Sequence, residues 1–275
     1  MLGFLLIVRG LSYFVSYYYQ DPSLLYVGFA FAILLNIFSF WNSDKIVLKM
    51  HKAKEVTREE YFDLWNLTEN LSITAGLPMP RLFVIESEAP NAFATGRNPE
   101  KGVICVTTGL LKILDKNELE GVLAHELAHI GNRDILLATV AVVLVGFVSI
   151  LSDIFMRSHL LGGNDRDRNA GPLAIVGIVL IILSPIFATL LQLAVSRKRE
   201  YLADATGALL TRYPEGLANA LRKISSVSKP LETASNATSH LFISDPFASK
   251  KFKKLHSLFM THPPIELRIK ALLGE

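Results

Sequence analysis

The sequence predicts a mainly α membrane protein with four transmembrane helices, whose remaining chain forms an α+β portion with a small sheet. Three observations carry this expectation. Hydrophobic residues make up 51% of the 275 and charged residues only 19%, with a mean hydropathy of +0.36, which is too apolar for an ordinary soluble domain. Four apolar runs reach about the length needed to cross a bilayer. They fall into two pairs, within 1–41 and 135–195, and the chain between and after them carries amphipathic and strand-like patterns. The net charge of +3 is too small to argue for a nucleic-acid partner. The single cysteine, Cys105 in Val103-Ile104-Cys105-Val106, excludes an internal disulfide and reads as a buried, inert thiol.

In chain order, spans at about 2–19 and 24–41 form a first transmembrane hairpin over 1–41. A signal peptide is the competing reading of the first run, but it lacks a basic leader and a small-residue cleavage site. Arg9 inside it is costly unless it snorkels or faces protein. Lys45, Lys49, Lys52, Lys54 and Arg58 follow the second span, which by the positive-inside rule places that flank in the cytoplasm. The part over 42–134 then opens with Thr57-Arg58-Glu59-Glu60, a capping-box pattern for an amphipathic helix through Leu64, Trp65 and Leu71, ended by Gly76 and Pro78. Arg81 to Ile85 and Gly102 to Thr107 read as strands. Asp115 with Glu118 signals a second helix start.

That second helix carries His125-Glu126-Leu127-Ala128-His129. Residues four apart share a helix face, so the two imidazoles project side by side and can grip one Zn²⁺. Glu126 is the candidate general base of a zinc hydrolase. A catalytic zinc needs a third protein ligand and an open position. The best candidate is Glu200, with Asp204 four residues on, placed to orient a metal-bound histidine.

The second hairpin, 135–195, has spans at about 135–156 and 172–195 and separates the histidines from Glu200. Arg157, Arg166 and Arg168 in its loop count against placing that loop outside. Arg197, Lys198 and Arg199 mark another cytoplasmic flank. The remaining part, 196–275, reads mainly as helices, with Leu217, Ala220, Leu221 and Ile224 at helical spacing. Lys229 to Ser249, rich in Ser, Thr, Asn and Pro, reads as a mobile loop, and Lys250 to Lys254 as a basic run.

On these residues the chain resembles the HtpX-type membrane zinc metallopeptidases, related to the CAAX prenyl endopeptidases. The resemblance rests on His125-Glu126-x-x-His129 with Asn132-Arg133-Asp134, Asn91-Ala92-Phe93-Ala94, Glu200-x-x-x-Asp204 and Thr261-His262-Pro263-Pro264, and runs over nearly the whole chain. It implies a zincin-like catalytic portion with one Zn²⁺ per chain and Glu200 as third ligand. It also implies membrane-protein quality control, and an edge strand around Asn91 to Ala94 that pairs with substrate; the residues by themselves read equally as a loop followed by a short packed strand. His262, Arg268 and Asn91 are candidates for contacts to substrate or transition state.

The expected protein is thus a multi-pass enzyme of the plasma (inner) membrane with a cytoplasmic active site. Its expected partners are the lipid bilayer and membrane-protein or peptide substrates. Three other readings stay open: an intramembrane protease, a prenyl-peptide protease, and a membrane scaffold whose zinc is structural.

Overall fold

The structure is a computed structural model that describes residues 8–10, 12–13, 16–17, 20–140, 142–143, 197–235, 238–247 and 263–275. These residues form a mostly helical protein with one small mixed sheet. They fall into two compact units: the first ends at Ser43, and the second begins at Asp44 and holds the rest of the described chain. Most of the expected spans 2–19, 135–156 and 172–195, the loop 157–171, the basic run 250–254 and His262 lie outside the described residues.

Helix α1, Ser23–Met50, is the one helix among the described residues that is long and apolar enough to cross a membrane. Its first eighteen residues hold no charge, and Val27, Phe31, Leu34, Phe38 and Trp41 stand exposed along it. Its basic end, from Lys45, belongs to the second unit.

Four strands follow in the spatial order β1 (Lys54–Glu55), β2 (Arg81–Ile85), β4 (Val103–Thr107), β3 (Ala92–Thr95). The central pair β2–β4 is parallel, with Phe83 opposite Cys105; both outer pairs are antiparallel. Side chains alternate across the pleat. Leu82, Val84, Ile104, Val106, Ala92 and Ala94 face one hydrophobic cluster. It is closed by Leu64, Leu67 and Leu71 of α2 (Phe62–Ala75) and by Val122, Leu123 and Leu127 of α4 (Lys116–Gly131). Phe83, Ile85, Val103, Cys105 and Phe93 face a second cluster, closed by Val47 and Leu48 at the end of α1 and by Leu231 and Phe242. Burial pushes the Cys105 thiol well above its ordinary range, so it is neutral and inert.

Local signals explain the helix ends. Only half of the expected capping box at Thr57 forms: the Glu60 carboxylate accepts the Thr57 N–H at 3.0 Å. The helix itself starts later, at Phe62, because Thr57 to Tyr61 closes a separate turn with Tyr61 N–H on the Thr57 carbonyl. Gly76 ends α2 in the left-handed region, φ +64°. On α4 both bonds of the Asp115–Glu118 box are present. A short α3, Thr108–Ile113, links β4 to α4; α5 (Arg197–Thr211), α6 (Pro214–Ser226) and α7 (Ile265–Leu273) complete the second unit.

The segment expected as a mobile loop, 229–249, departs from that reading where it is described. Its Ser, Thr and Pro content hides Leu231, Leu241, Phe242 and Ile243, all buried. Phe242 meets Phe93 edge-on at 5.2 Å and His51 at 5.1 Å. His51, just past α1, also contacts Thr233 Oγ1 through Nδ1 at 3.1 Å, and burial pushes its pKa down to about 4, so it is neutral in this apolar corner.

Phe242→Ala should therefore cost about 3–5 kcal/mol, the usual range for deleting a buried phenyl ring. Denaturant titration of the detergent-solubilised chain would measure this; unchanged stability would show that the segment does not close the second cluster.

Candidate metal centre

The site is built where α4 and α5 cross. On α4, His125 and Glu126 are buried, and His129 sits one turn on with its side chain 15% exposed. On α5, Glu200, Asp204 and Gly207 stand at i, i+4 and i+7, so they share one face. Gly207 is what lets that face approach. A Cβ there would stand 3.1 Å from the His125 backbone nitrogen and 3.3 Å from its Cα. Gly121 does the same for α6, where a Cβ would fall 2.6 Å from the Leu217 nitrogen.

The close crossing brings His125, His129 and Glu200 together, each offering one ligand atom, all within 4.8 Å of one another. The two Nε2 atoms are 3.2 Å apart, and His129 Nε2 lies 3.4 Å from Glu200 Oε1. Two ligands at zinc distances of about 2.0–2.1 Å with tetrahedral angles stand roughly 3.3–3.4 Å apart. The spacing and the donor set, two imidazole nitrogens and one carboxylate oxygen, therefore fit a single such cation. Glu126 lines the same cleft, with Ala94, Ile135, Arg199 and His240.

Each imidazole is held from behind. His125 Nδ1 faces Asp204 Oδ1 at 2.9 Å, and His129 Nδ1 faces Asp134 Oδ2 at 3.1 Å. A carboxylate on Nδ1 keeps the proton there and turns the Nε2 lone pair toward the metal position. Asp134 also pairs with the Arg199 guanidinium, which ties the end of the His helix to the residue beside Glu200. Arg268 of α7 is fully buried and grips Asp204 with two bonds of 2.6 and 2.8 Å. It further donates to the Ile243 carbonyl at 3.2 Å and lies 3.6 Å from Glu200 Oε2.

The charges settle accordingly. Burial pushes His125 down to about 4 despite its bond to Asp204, so it is neutral at pH 7. Burial also disfavours charge on His129, but the bonds to Asp134 and Glu200 outweigh it and raise the pKa to about 10. A proton on His129 offsets part of the negative charge of Asp134 and Glu200 beside it. Burial would raise the Asp204 carboxyl, but Arg268 and His125 hold it below its usual value.

The residues singled out from sequence divide clearly. His125, Glu126, His129, Glu200 and Asp204 meet in one place. Arg268 does not line the cleft; it lies behind Asp204, where its guanidinium is used in holding that carboxylate. The Asn91 amide is spent between backbones, donating to the Ser244 carbonyl and accepting from the Ala92 N–H. Of the Asn91–Ala94 stretch, Ala92 to Ala94 belong to the edge strand β3 and Asn91 immediately precedes it. Its bond pattern places the Ala92 and Ala94 backbone groups on the outer side, since Asn91 pairs with Thr107 and antiparallel pairs alternate. The Ala92 carbonyl accepts the Ile243 N–H at 2.9 Å, whereas Ala94 lines the cleft. The carboxylate role of Asp134, the lining role of His240 and the spacing role of Gly207 were not assigned from sequence. Only Asp134 had a signal, five residues after a candidate ligand.

The sequence pattern of peptidase family M48 matches residues 59–275. A protease HtpX homologue of Dictyoglomus thermophilum is 47% identical over 263 residues, covering 95% of this chain and 86% of its own. One from Pyrococcus furiosus is 45% identical over 267 residues, covering 96% and 91%. The crystal structure of S. mikatae Ste24p has a similar fold, with a TM-score of 0.52 at 20% identity; the match covers 97% of this chain and 61% of that one.

Two outcomes check the geometry. Asp134→Ala should weaken metal binding by about 10–100-fold, the usual cost of losing such a support, read by competition with a chelator. At pH 7 metal uptake should release one proton, from His129, because His125 is already neutral. Calorimetry in buffers of different ionisation enthalpy counts it, and zero would mean a neutral His129 in the metal-free protein.

Proposed function

The chain belongs to peptidase family M48 and is a metallopeptidase, and on that premise we propose that it is a membrane-embedded zinc endopeptidase. Its substrates are exposed cytoplasmic segments of membrane proteins, damaged or misfolded ones above all, so that it serves quality control. The observation that supports this reading most is the triangle of two facing imidazole nitrogens and the Glu200 carboxylate beside Glu126. Among the described residues three donors cluster there, which favours a catalytic centre over a closed four-ligand structural one.

His125, His129 and Glu200 would hold the ion. Zinc in such a setting supplies Lewis acidity, polarising a peptide carbonyl and bringing water toward a pKa of about 7. Glu126 takes the proton of the attacking water and returns it to the leaving amine nitrogen. Asp204 and Asp134 keep the two imidazoles in the ligand tautomer, and Arg268 keeps Asp204 ionised. The outward backbone groups of Ala94 offer an extended peptide a strand to pair with, which lays its carbonyl across the cleft.

The membrane part of the proposal rests on α1 and the apolar runs of the sequence. It comprises two transmembrane hairpins, 1–41 and 135–195, with the catalytic portions 42–134 and 196–275 on the cytoplasmic side of the plasma membrane.

Glu126→Gln should lower cleavage of an unfolded polypeptide by about 10²–10⁴-fold, the range for a lost general base, while metal content stays at the wild-type level. Wild-type cleavage by this variant would overturn the base assignment. Loss of the metal as well would show Glu126 to be structural.

A further inference from the structure

The basic end of α1 carries a feature that peptide hydrolysis does not use. Lys45 and Lys49 stand four apart on one helix face, and Lys52 follows just past the helix end with φ +53°. With Arg81, at the head of β2, they surround an open groove of about 590 Å³ floored by Leu48 and Phe83. The three lysines are exposed. The Arg81 guanidinium lies over the Phe83 ring at 5.5 Å and has Asp44 at 3.5 Å and Glu55 at 3.9 Å. Among the described residues, no acidic side chain lines the groove itself. Counting Asp44 and Glu55 against the four cations, 4 − 2, leaves two surplus positive charges.

We propose that this groove binds the phosphate head group of an anionic phospholipid, and the inference rests on the membrane-spanning part of the function proposed above. The position of the lysines along α1 chooses the ligand. Trp41 is exposed at the end of the apolar stretch, where an indole anchors at the bilayer interface. At 1.5 Å per residue, Lys45 and Lys49 lie about 6 and 12 Å further along the helix axis. The head-group layer is about 5–7 Å deep on each side of the hydrocarbon, and a lysine stem reaches several ångströms back toward it. The Lys45 and Lys49 ammonium groups are therefore within reach of phosphate in the head-group layer. The floor of Leu48 and Phe83 suits the esterified glycerol behind the phosphate. A nucleic acid would need a longer basic track than these four side chains provide.

The test uses the full chain reconstituted in phosphatidylcholine vesicles containing trace spin-labelled lipid. Resistance to alkaline carbonate extraction first establishes insertion. The motionally restricted fraction of labelled phosphatidylglycerol should exceed that of labelled phosphatidylcholine; about 1 kcal/mol per lysine near the head groups corresponds to about fivefold tighter binding at the groove itself, which appears as a smaller rise in a fraction averaged over all lipids around the spans. The preference should fall in 0.5 M salt, disappear in the triple variant Lys45→Gln, Lys49→Gln, Lys52→Gln, and survive the corresponding triple arginine variant.

Insertion without a phosphatidylglycerol preference, or a preference that the glutamine variant keeps, overturns the inference and leaves the membrane reading standing. Displacement of the labelled lipid by millimolar inorganic phosphate identifies a soluble-anion site and overturns the lipid assignment. Retention of an acidic peptide or an oligonucleotide in place of lipid overturns it likewise. Failure to insert sinks the membrane reading and this inference together, whereas failure of Glu126→Gln to affect cleavage touches neither.

Discussion

The structure depends on the close crossing of two helices, α4 and α5, with Gly207 at the point of contact. Everything chemical follows from that approach. It sets Glu200 opposite the paired imidazoles and Asp204 behind one of them. A methyl group at the crossing would push the helices apart by a few tenths of an ångström, and a metal position is defined to about that tolerance. The meeting of His125, His129 and Glu200 is thus a property of backbone packing as much as of three side chains.

The second constraint is electrostatic. Four carboxylates, Glu126, Asp134, Glu200 and Asp204, gather in a largely buried region, an arrangement that repels itself unless it is compensated. Arg268 supplies a permanent charge from α7, Arg199 supplies another from the flank, and a proton on His129 adds a third. A cation held by His125, His129 and Glu200, as proposed, would be one member of a balanced set, and the C-terminal helix belongs to the centre although its arginine lies behind the cleft. Through its bond to the Ile243 carbonyl, the same arginine holds the segment that lies along β3.

Much of this was legible in the chain. The H-E-x-x-H spacing and the E-x-x-x-D spacing each specify one helix face, and faces are what periodicity reports. Strands β2 and β4 were visible as bounded apolar runs. What stayed hidden is what depends on a partner distant in sequence. Gly207 reads as an ordinary helical glycine until its neighbour is known. Asp134 belongs to a stretch the sequence marks without showing that its carboxylate meets His129, and Arg268 is a charge that could equally face substrate. The 229–247 segment misled because composition averages over residues, and four buried side chains suffice to pin an otherwise polar stretch. The start of α2 shows the opposite failure: the capping residues were real, but a turn took their hydrogen bond before the helix began.

The half-occupied rim of β3 has a consequence for selectivity. With Ile243 seated on Ala92, a polypeptide bound along β3 as proposed would find only a short length of backbone to latch onto beside the imidazoles. A grip made through main-chain amides is indifferent to the guest's side chains. It does require the guest to be locally unravelled, since a residue already bonded within a helix or sheet has no amide to lend. Discrimination would then fall between slack and well-knit proteins rather than between one sequence and another.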